Sequence, residues 1–281
     1  MNSLLGGFYV TTHTRTVPLQ HTVCPDCLPL IKTVDYDLRF RESISCPYIN
    51  HYRINSDTML LATNKHRSLI ISRNNGLQAT PLSTRKLMRQ YNRQQLIDFS
   101  QMRHIYHNFG HLRKLPQING EYQFLPLSGT AHQNASWLAL HYVKYYEQAG
   151  DHLRITFLNE TNCELLYKGR QLEAEIHQCA AIGRILRTSL GICATNFGYT
   201  IELQSCFNSS IIHSYDYCHC QLCSMVPDNP QQLIRLLDDL EVHKSNYIYQ
   251  AAIQEYKEYP IHEFSWYLQG VPGFIRKLRD L

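Results

Sequence analysis

The sequence predicts an α+β protein. It reads as a β-rich mixed core of about six short strands with a basic amphipathic helix and a closing helix, followed by a helical C-terminal extension. Three observations carry that expectation. Short β-branched and aromatic runs recur between Met59 and Tyr167, two stretches repeat their apolar residues every three or four positions, and leucines at helical spacing follow Pro230. With 281 residues and 44% hydrophobic composition, the chain can bury one large core or two modest ones and is too apolar to be disordered throughout.

Residues 1–48 read as an irregular lead-in of scattered Thr, His and Pro around Cys24-Pro25-Asp26-Cys27. Ile54 to Thr58 is turn chemistry leading into a strand at Met59–Ala62, and Leu69-Ile70-Ile71 is a second strand ended by Asn74-Asn75-Gly76. Pro81-Leu82-Ser83 then precedes a helix over roughly Thr84 to Gln95, with Ser83 placed to cap its free N–H groups. Three further strands are expected at Glu121–Leu125, Ser136–Val143 and His152–Phe157. Asn159 to Asn162 reads as a hairpin turn into Cys163–Tyr167. A helix follows Gly169 through Leu190, with Leu172, Ile176, Cys179, Ile182, Ile185 and Leu186 on one face. Beyond Thr195 the chain is rich in Ser, Tyr, His and Cys, until Asn229 caps a helix with Pro230 in its first turn and Leu233, Leu236, Leu237 and Leu240 on its apolar face. The expected division is 1–48, 49–194 and 195–281, the last mostly helical.

Charge is the most informative feature. From Lys65 to Leu115 there are ten basic residues, Lys65, Arg67, Arg73, Arg85, Lys86, Arg89, Arg93, Arg103, Arg113 and Lys114, against the single acid Asp98. The rest of the chain holds 17 bases and 22 acids, so the surplus is local. A chain that concentrates like charge against its own repulsion usually offers it to a polyanion. Arg85, Arg89 and Arg93 recur every four residues and stack on one helix face, which Lys86 widens, while Leu87, Met88 and Tyr91 project to the other. No Glu partners that face. Such a helix can lie on phosphate; a solvent-facing helix without a ligand, or one touching an acidic protein, fits the same pattern.

The order of features from Tyr52 to about Leu190 resembles the ComK family of competence transcription factors. The matching pieces are Tyr52-Arg53-Ile54-Asn55 with Asp57-Thr58, Ser83 through Asn92-Arg93, and Tyr122 to Ser128. Ser136-Trp137-Leu138 with His141-Tyr142-Val143, and Ile155 to Asn159, complete the series. The resemblance covers about half the chain and makes 49–194 the DNA-binding core. It implies an activator of DNA-uptake genes that binds paired AT-rich boxes in double-stranded DNA, contacts the minor groove, acts as a homo-oligomer and engages RNA polymerase. It also implies control by an adaptor of a Clp protease, although no adaptor-binding motif is found in the C-terminal part. Where the family has Gly before Arg, this chain has Asn92 before Arg93, and Asn tolerates a left-handed backbone.

The residues expected to meet nucleic acid are Arg85, Lys86, Arg89, Arg93, Arg103, Arg113 and Lys114. Phosphate contacts release counterions and give a salt slope of about −0.9 each. Preference for AT tracts has another origin: their narrow, negative minor groove favours a guanidinium over a strongly hydrated ammonium, and Arg93 is the first candidate for insertion. Trp137, Tyr142, Tyr145 and Tyr146 read as core and strand-face residues rather than base-stacking groups.

Two rival readings stand beside this one. Cys24-Pro25-Asp26-Cys27 and Cys220-Gln221-Leu222-Cys223 together supply four thiolates for a structural zinc, with Cys218 and His219 as spare ligands, giving a zinc-stabilised nucleic-acid- or protein-binding module. Their separation far exceeds ribbon spacing, so reduced, unpaired cysteines are the expectation, with no metal and no cofactor. An enzyme is not expected: there is no H-E-x-x-H, G-x-S-x-G or P-loop, though Cys163 or Cys179 with His141 or His177 would form a Cys–His pair if the fold joined them. The N-terminus lacks a basic n-region and a long apolar run, and no stretch approaches the roughly 20 apolar residues of a membrane span. A cytoplasmic protein without membrane contact is the reading.

Overall fold

The motif that opens the core is a self-bonded turn. Asn55 Oδ1 accepts from the Asp57 N–H at 3.0 Å, the Asn55 N–H donates to Thr58 Oγ1 at 3.1 Å, and the buried Tyr52 hydroxyl closes on the same Oγ1 at 2.7 Å. Thr58 therefore enters its strand with its polar atoms already satisfied. The computed structural model describes residues 8–12, 15–18, 34–39, 44–64, 66–95, 97, 99–109, 114–129, 134–203 and 207–255.

Among these residues the architecture is α+β, with three sheets and four α-helices. In chain order the elements are β1 (Phe8–Thr12), β2 (Arg15–Pro18), β3 (Asp35–Asp37), β4 (Thr58–Thr63), β5 (Ser68–Ser72) and β6 (Gly76–Thr80). Then come α1 (Thr84–Asn92), α2 (Phe99–Phe109), β7 (Gln117–Asn119), β8 (Tyr122–Pro126), β9 (Trp137–Ala139), β10 (Val143–Ala149), β11 (His152–Phe157) and β12 (Asn162–Leu166). The chain continues through α3 (Leu172–Asn196), β13 (Thr200–Leu203) and α4 (Pro230–Glu255). The main sheet is antiparallel in the order β6-β5-β4-β9-β8-β7. A second sheet runs β10-β11-β12-β3, with β3 parallel to β12, and a third runs β13-β1-β2.

More strands are present than the alternating runs suggested, for two reasons. The stretch 1–48, read as irregular, supplies β1, β2 and β3, of which β1 and β3 pair with the distant β13 and β12 and β2 pairs with β1. The expected single strand at Ser136–Val143 is broken by a 3-10 turn at Leu140–Tyr142, which carries the chain from the main sheet into β10 of the second. All three turn residues are buried, so no alternation marks them. His141 sits there among Tyr122, Phe124, Tyr142 and Phe207 with ring centroids 4.9–5.5 Å apart.

The helix α3 closes the core through Leu172, Ile176, Cys179, Ile182 and Ile185, as its spacing predicted. It crosses the β7–β8 hairpin so closely that a Cβ on Gly183 would lie 2.8 Å from the Gly120 carbonyl and 2.1 Å from Gln123 Nε2. Arg187 pairs with Glu121 of the same hairpin at 3.0 Å. Asn229 does cap α4, accepting from the Gln232 N–H at 3.0 Å, and α4 packs on both α2 and α3. Leu233 is buried there, whereas Leu237 of the same expected face is half-exposed. No helix among the described residues is long and apolar enough to cross a membrane.

Candidate nucleic-acid interface

The helix α1 begins where its sequence supplies an N-cap. Ser83, extended at φ −67° and ψ 150°, accepts from the Lys86 N–H at 3.2 Å. Ser68 Oγ donates to the Leu82 carbonyl at 2.7 Å and fastens the preceding loop to β5. Thr84, Leu87, Met88 and Asn92 are buried, and Tyr91 packs its ring edge-on against Phe124 at 5.2 Å. That docking leaves Arg85, Lys86, Arg89 and Arg93 exposed. From Arg85 to Arg93 the row rises about 12 Å, close to the width of a major groove.

Among the described residues no carboxylate pairs with any of these four cations. Their placement is unfavourable for an isolated helix. Arg85 and Lys86 sit in a first turn that contains no acid, where the partial positive charge of the free N–H groups disfavours cations. Arg85 and Arg89, four apart, repel each other, as do Arg89 and Arg93. A bound anion would reverse both effects. Arg103 is also exposed, on α2, where Met102, Tyr106 and Phe109 face the core.

Three other described members of the basic stretch, Lys114, Arg73 and Arg67, are engaged within the protein. Lys114, expected to touch phosphate, is instead turned inward: its Nζ lies 2.8 Å from Glu175 Oε2 of α3 and 3.0 Å from the Tyr167 hydroxyl, with both side chains of the ion pair nearly buried. Its charge is neutralised inside the protein, because desolvating a lysine in this fold requires a carboxylate. Arg73 pairs with Asp57 at 3.6 Å, and Arg67 donates to the Ile44 carbonyl at 2.6 Å. Lys65 and Arg113 lie outside the described residues. Asn92 corrects a second expectation. It is the last helical residue of α1 and buried, and Glu160 is the only described non-glycine with positive φ, so no left-handed turn precedes Arg93.

The aromatic residues fall largely in the core, with Trp137 and Tyr142 buried, Tyr146 half-buried and Tyr145 half-exposed on β10. Among the described residues His141 bonds the Gln123 backbone and His177 bonds Cys223. Cys163 and Cys179 are buried, and burial pushes the Cys179 thiol well above its ordinary range. Burial also holds His141 neutral, lowering its pKa to about 3. His177 stands elsewhere, with Nε2 at 3.2 Å from Cys223 Sγ and 3.6 Å from Cys220 Sγ. Cys218 joins them, so that one imidazole nitrogen and three sulfurs lie within 4.8 Å of one another. The sequence reading missed His177 as a partner because α3 brings it from 41 positions before Cys218. Of the ligands proposed from the sequence, Cys218, Cys220 and Cys223 are in the cluster, His219 is not, and Cys24 and Cys27 lie outside the described residues. Comparison of the chain with family models, with curated proteins and with solved structures returns no match.

Proposed function

We propose that the protein is a sequence-selective DNA-binding transcription activator that meets phosphate through the exposed face of α1. The observation that carries the reading is the row Arg85, Lys86, Arg89 and Arg93, unpartnered among the described residues and set where cations cost helix stability. Arg103 extends the cationic surface onto α2. With Lys114 removed and Arg93 kept for the groove, four of the expected residues, Arg85, Lys86, Arg89 and Arg103, are left for phosphate, and the salt slope they give on duplex DNA is about −3.6. The activator role, the AT-rich boxes, the homo-oligomer, RNA polymerase and proteolytic control rest on the ComK resemblance between Tyr52 and Leu190 alone.

Arg93, exposed at the C-terminal end of the row with φ −64°, is assigned to the minor groove. Gel-shift titration on AT-box and scrambled duplexes at two salt concentrations tests the reading. The expected result is tighter binding to AT boxes by the wild-type chain, and in Arg93→Lys a loss of that preference with most non-specific affinity kept. Equal weakening on both duplexes would remove Arg93 from the groove, and no shift on either would remove DNA as the ligand.

A further inference from the structure

We propose that His177, Cys218, Cys220 and Cys223 form a structural zinc site that fastens the segment 211–225 to α3. The four donor atoms belong to two parts of the chain far apart in sequence, and their side chains converge on one point. His177 projects from the second turn of α3, whose inner face is buried in the core, and the three cysteines fall within six residues as Cys218-His219-Cys220-Gln221-Leu222-Cys223. A tetrahedral zinc with Zn–S of about 2.3 Å and Zn–N of about 2.0 Å sets sulfur–nitrogen separations near roughly 3.5 Å and sulfur–sulfur separations near roughly 3.8 Å. His177 Nε2 lies 3.2 and 3.6 Å from two of the sulfurs, and no pair of donors exceeds 4.8 Å. Side-chain rotations of about 1 Å complete the tetrahedron.

The surroundings are built for such a group. The backbone N–H groups of Cys223 and Leu222 point at the Cys220 sulfur, a turn that stabilises a thiolate. The His177 ring stacks on Tyr215 with centroids 4.8 Å apart at 29°, and the Tyr215 hydroxyl bonds Glu173, one turn earlier on α3. That stack fixes the imidazole plane with Nε2 toward the sulfurs. Arg184, two turns further along α3, donates to the carbonyls of Tyr215, Asp216 and Cys223, at 2.8 Å for the last. Its guanidinium both pins the segment and offsets the net negative charge of three thiolates and an imidazole around a divalent ion.

Sulfur and imidazole donors in this number select zinc over the hard cations, and four protein ligands leave no open position for substrate. Binding is therefore structural. The ion displaces three thiol protons to solvent, forms three Zn–S bonds and one Zn–N bond, and changes no oxidation state. The site is independent of α1 and of any DNA ligand.

The test uses the full chain, reduced and purified without chelator. Elemental analysis is expected to give one zinc per chain. Replacement by Co(II) is expected to give the intense visible d–d absorption and thiolate charge-transfer bands of a tetrahedral sulfur-rich site. Cys220→Ser and His177→Ala are expected to lose most of the bound metal, while Cys24→Ser/Cys27→Ser and the exposed Cys193→Ser retain it. The cobalt spectrum reads the ligand set in the wild-type chain, so poor folding of a variant does not leave the question open. Zinc near zero, a weak octahedral cobalt spectrum, a Cys220–Cys223 disulfide in place of metal, or loss of zinc in Cys24→Ser/Cys27→Ser with retention in His177→Ala would each overturn the proposal.

Discussion

Replacing Lys114 by Met separates a structural lysine from a phosphate-binding one. Lys114 Nζ is held at 2.8 Å by Glu175 and 3.0 Å by the Tyr167 hydroxyl, and lies 4.8 Å above the Tyr167 ring. The side chains of the pair are 11% and 5% exposed, so solvent cannot replace the lost partner. Without the lysine, Glu175 keeps only the Tyr167 hydroxyl at 3.3 Å, and breaking one side of a buried pair costs about 3–5 kcal/mol. Glu175→Leu should cost a similar amount, by stranding the ammonium. The double variant should recover most of it, since an apolar pair of similar volume is often neutral. Urea denaturation of the four proteins in a double-mutant cycle gives the coupling energy. A single variant within about 0.5 kcal/mol of wild type would refute the buried pair. So would a Lys114→Met protein that folds normally but loses about 0.9 from its salt slope, since that would place Lys114 on phosphate.

Two further perturbations probe the scaffold. Gly183→Ala should destabilise by about 1–3 kcal/mol in urea despite the better helix propensity of Ala, because the new Cβ would press on the Gly120 carbonyl, which is backbone and cannot swing away; a neutral or stabilising result would show that α3 stands off the hairpin. His141 is buried and neutral, with its pKa lowered to about 3 against an unfolded value near 6.5. The unfolded chain therefore binds the extra proton between those values, and stability should fall as pH drops through that window, by up to about 1.4 kcal/mol per pH unit from this group. His141→Phe should flatten the stability profile between about pH 4 and 6, and an unchanged slope would mean that the ring is protonated in the fold.

Much of the fold was legible wherever a single element carried its own pattern. The strands at β4, β5, β8, β11 and β12, the Ser83 and Asn229 caps and the closing helix α3 all follow from alternation, helical spacing or capping chemistry. The amphipathic face of α1 was legible for the same reason, with four cations at helical spacing opposite Leu87 and Met88. What escaped depends on partners distant in sequence. The strand β3 is defined by β12, and the described buried residues of α2, Met102, Tyr106 and Phe109, sit in a sequence otherwise rich in His, Asn and Gln. Lys114 and Arg103 are indistinguishable in a charge count, yet one meets Glu175 from 61 positions away and the other faces solvent. The convergence of His177 with Cys218, Cys220 and Cys223 is of the same kind, since nothing in the spacing of the cysteines pointed to a histidine on α3.

The central claim is that the face of α1 meets nucleic-acid phosphate, and the most direct measurement is the salt dependence of duplex binding for Arg85→Gln/Arg89→Gln against wild type. Both side chains are exposed, so stability should hardly change, or should rise as the repulsion between them is relieved. Fluorescence anisotropy across a salt series should show the slope of log K against log salt falling in magnitude by about 1.8, two phosphate contacts' worth. A variant that keeps the wild-type slope and affinity would place the DNA elsewhere on the protein, or show that DNA is not its ligand.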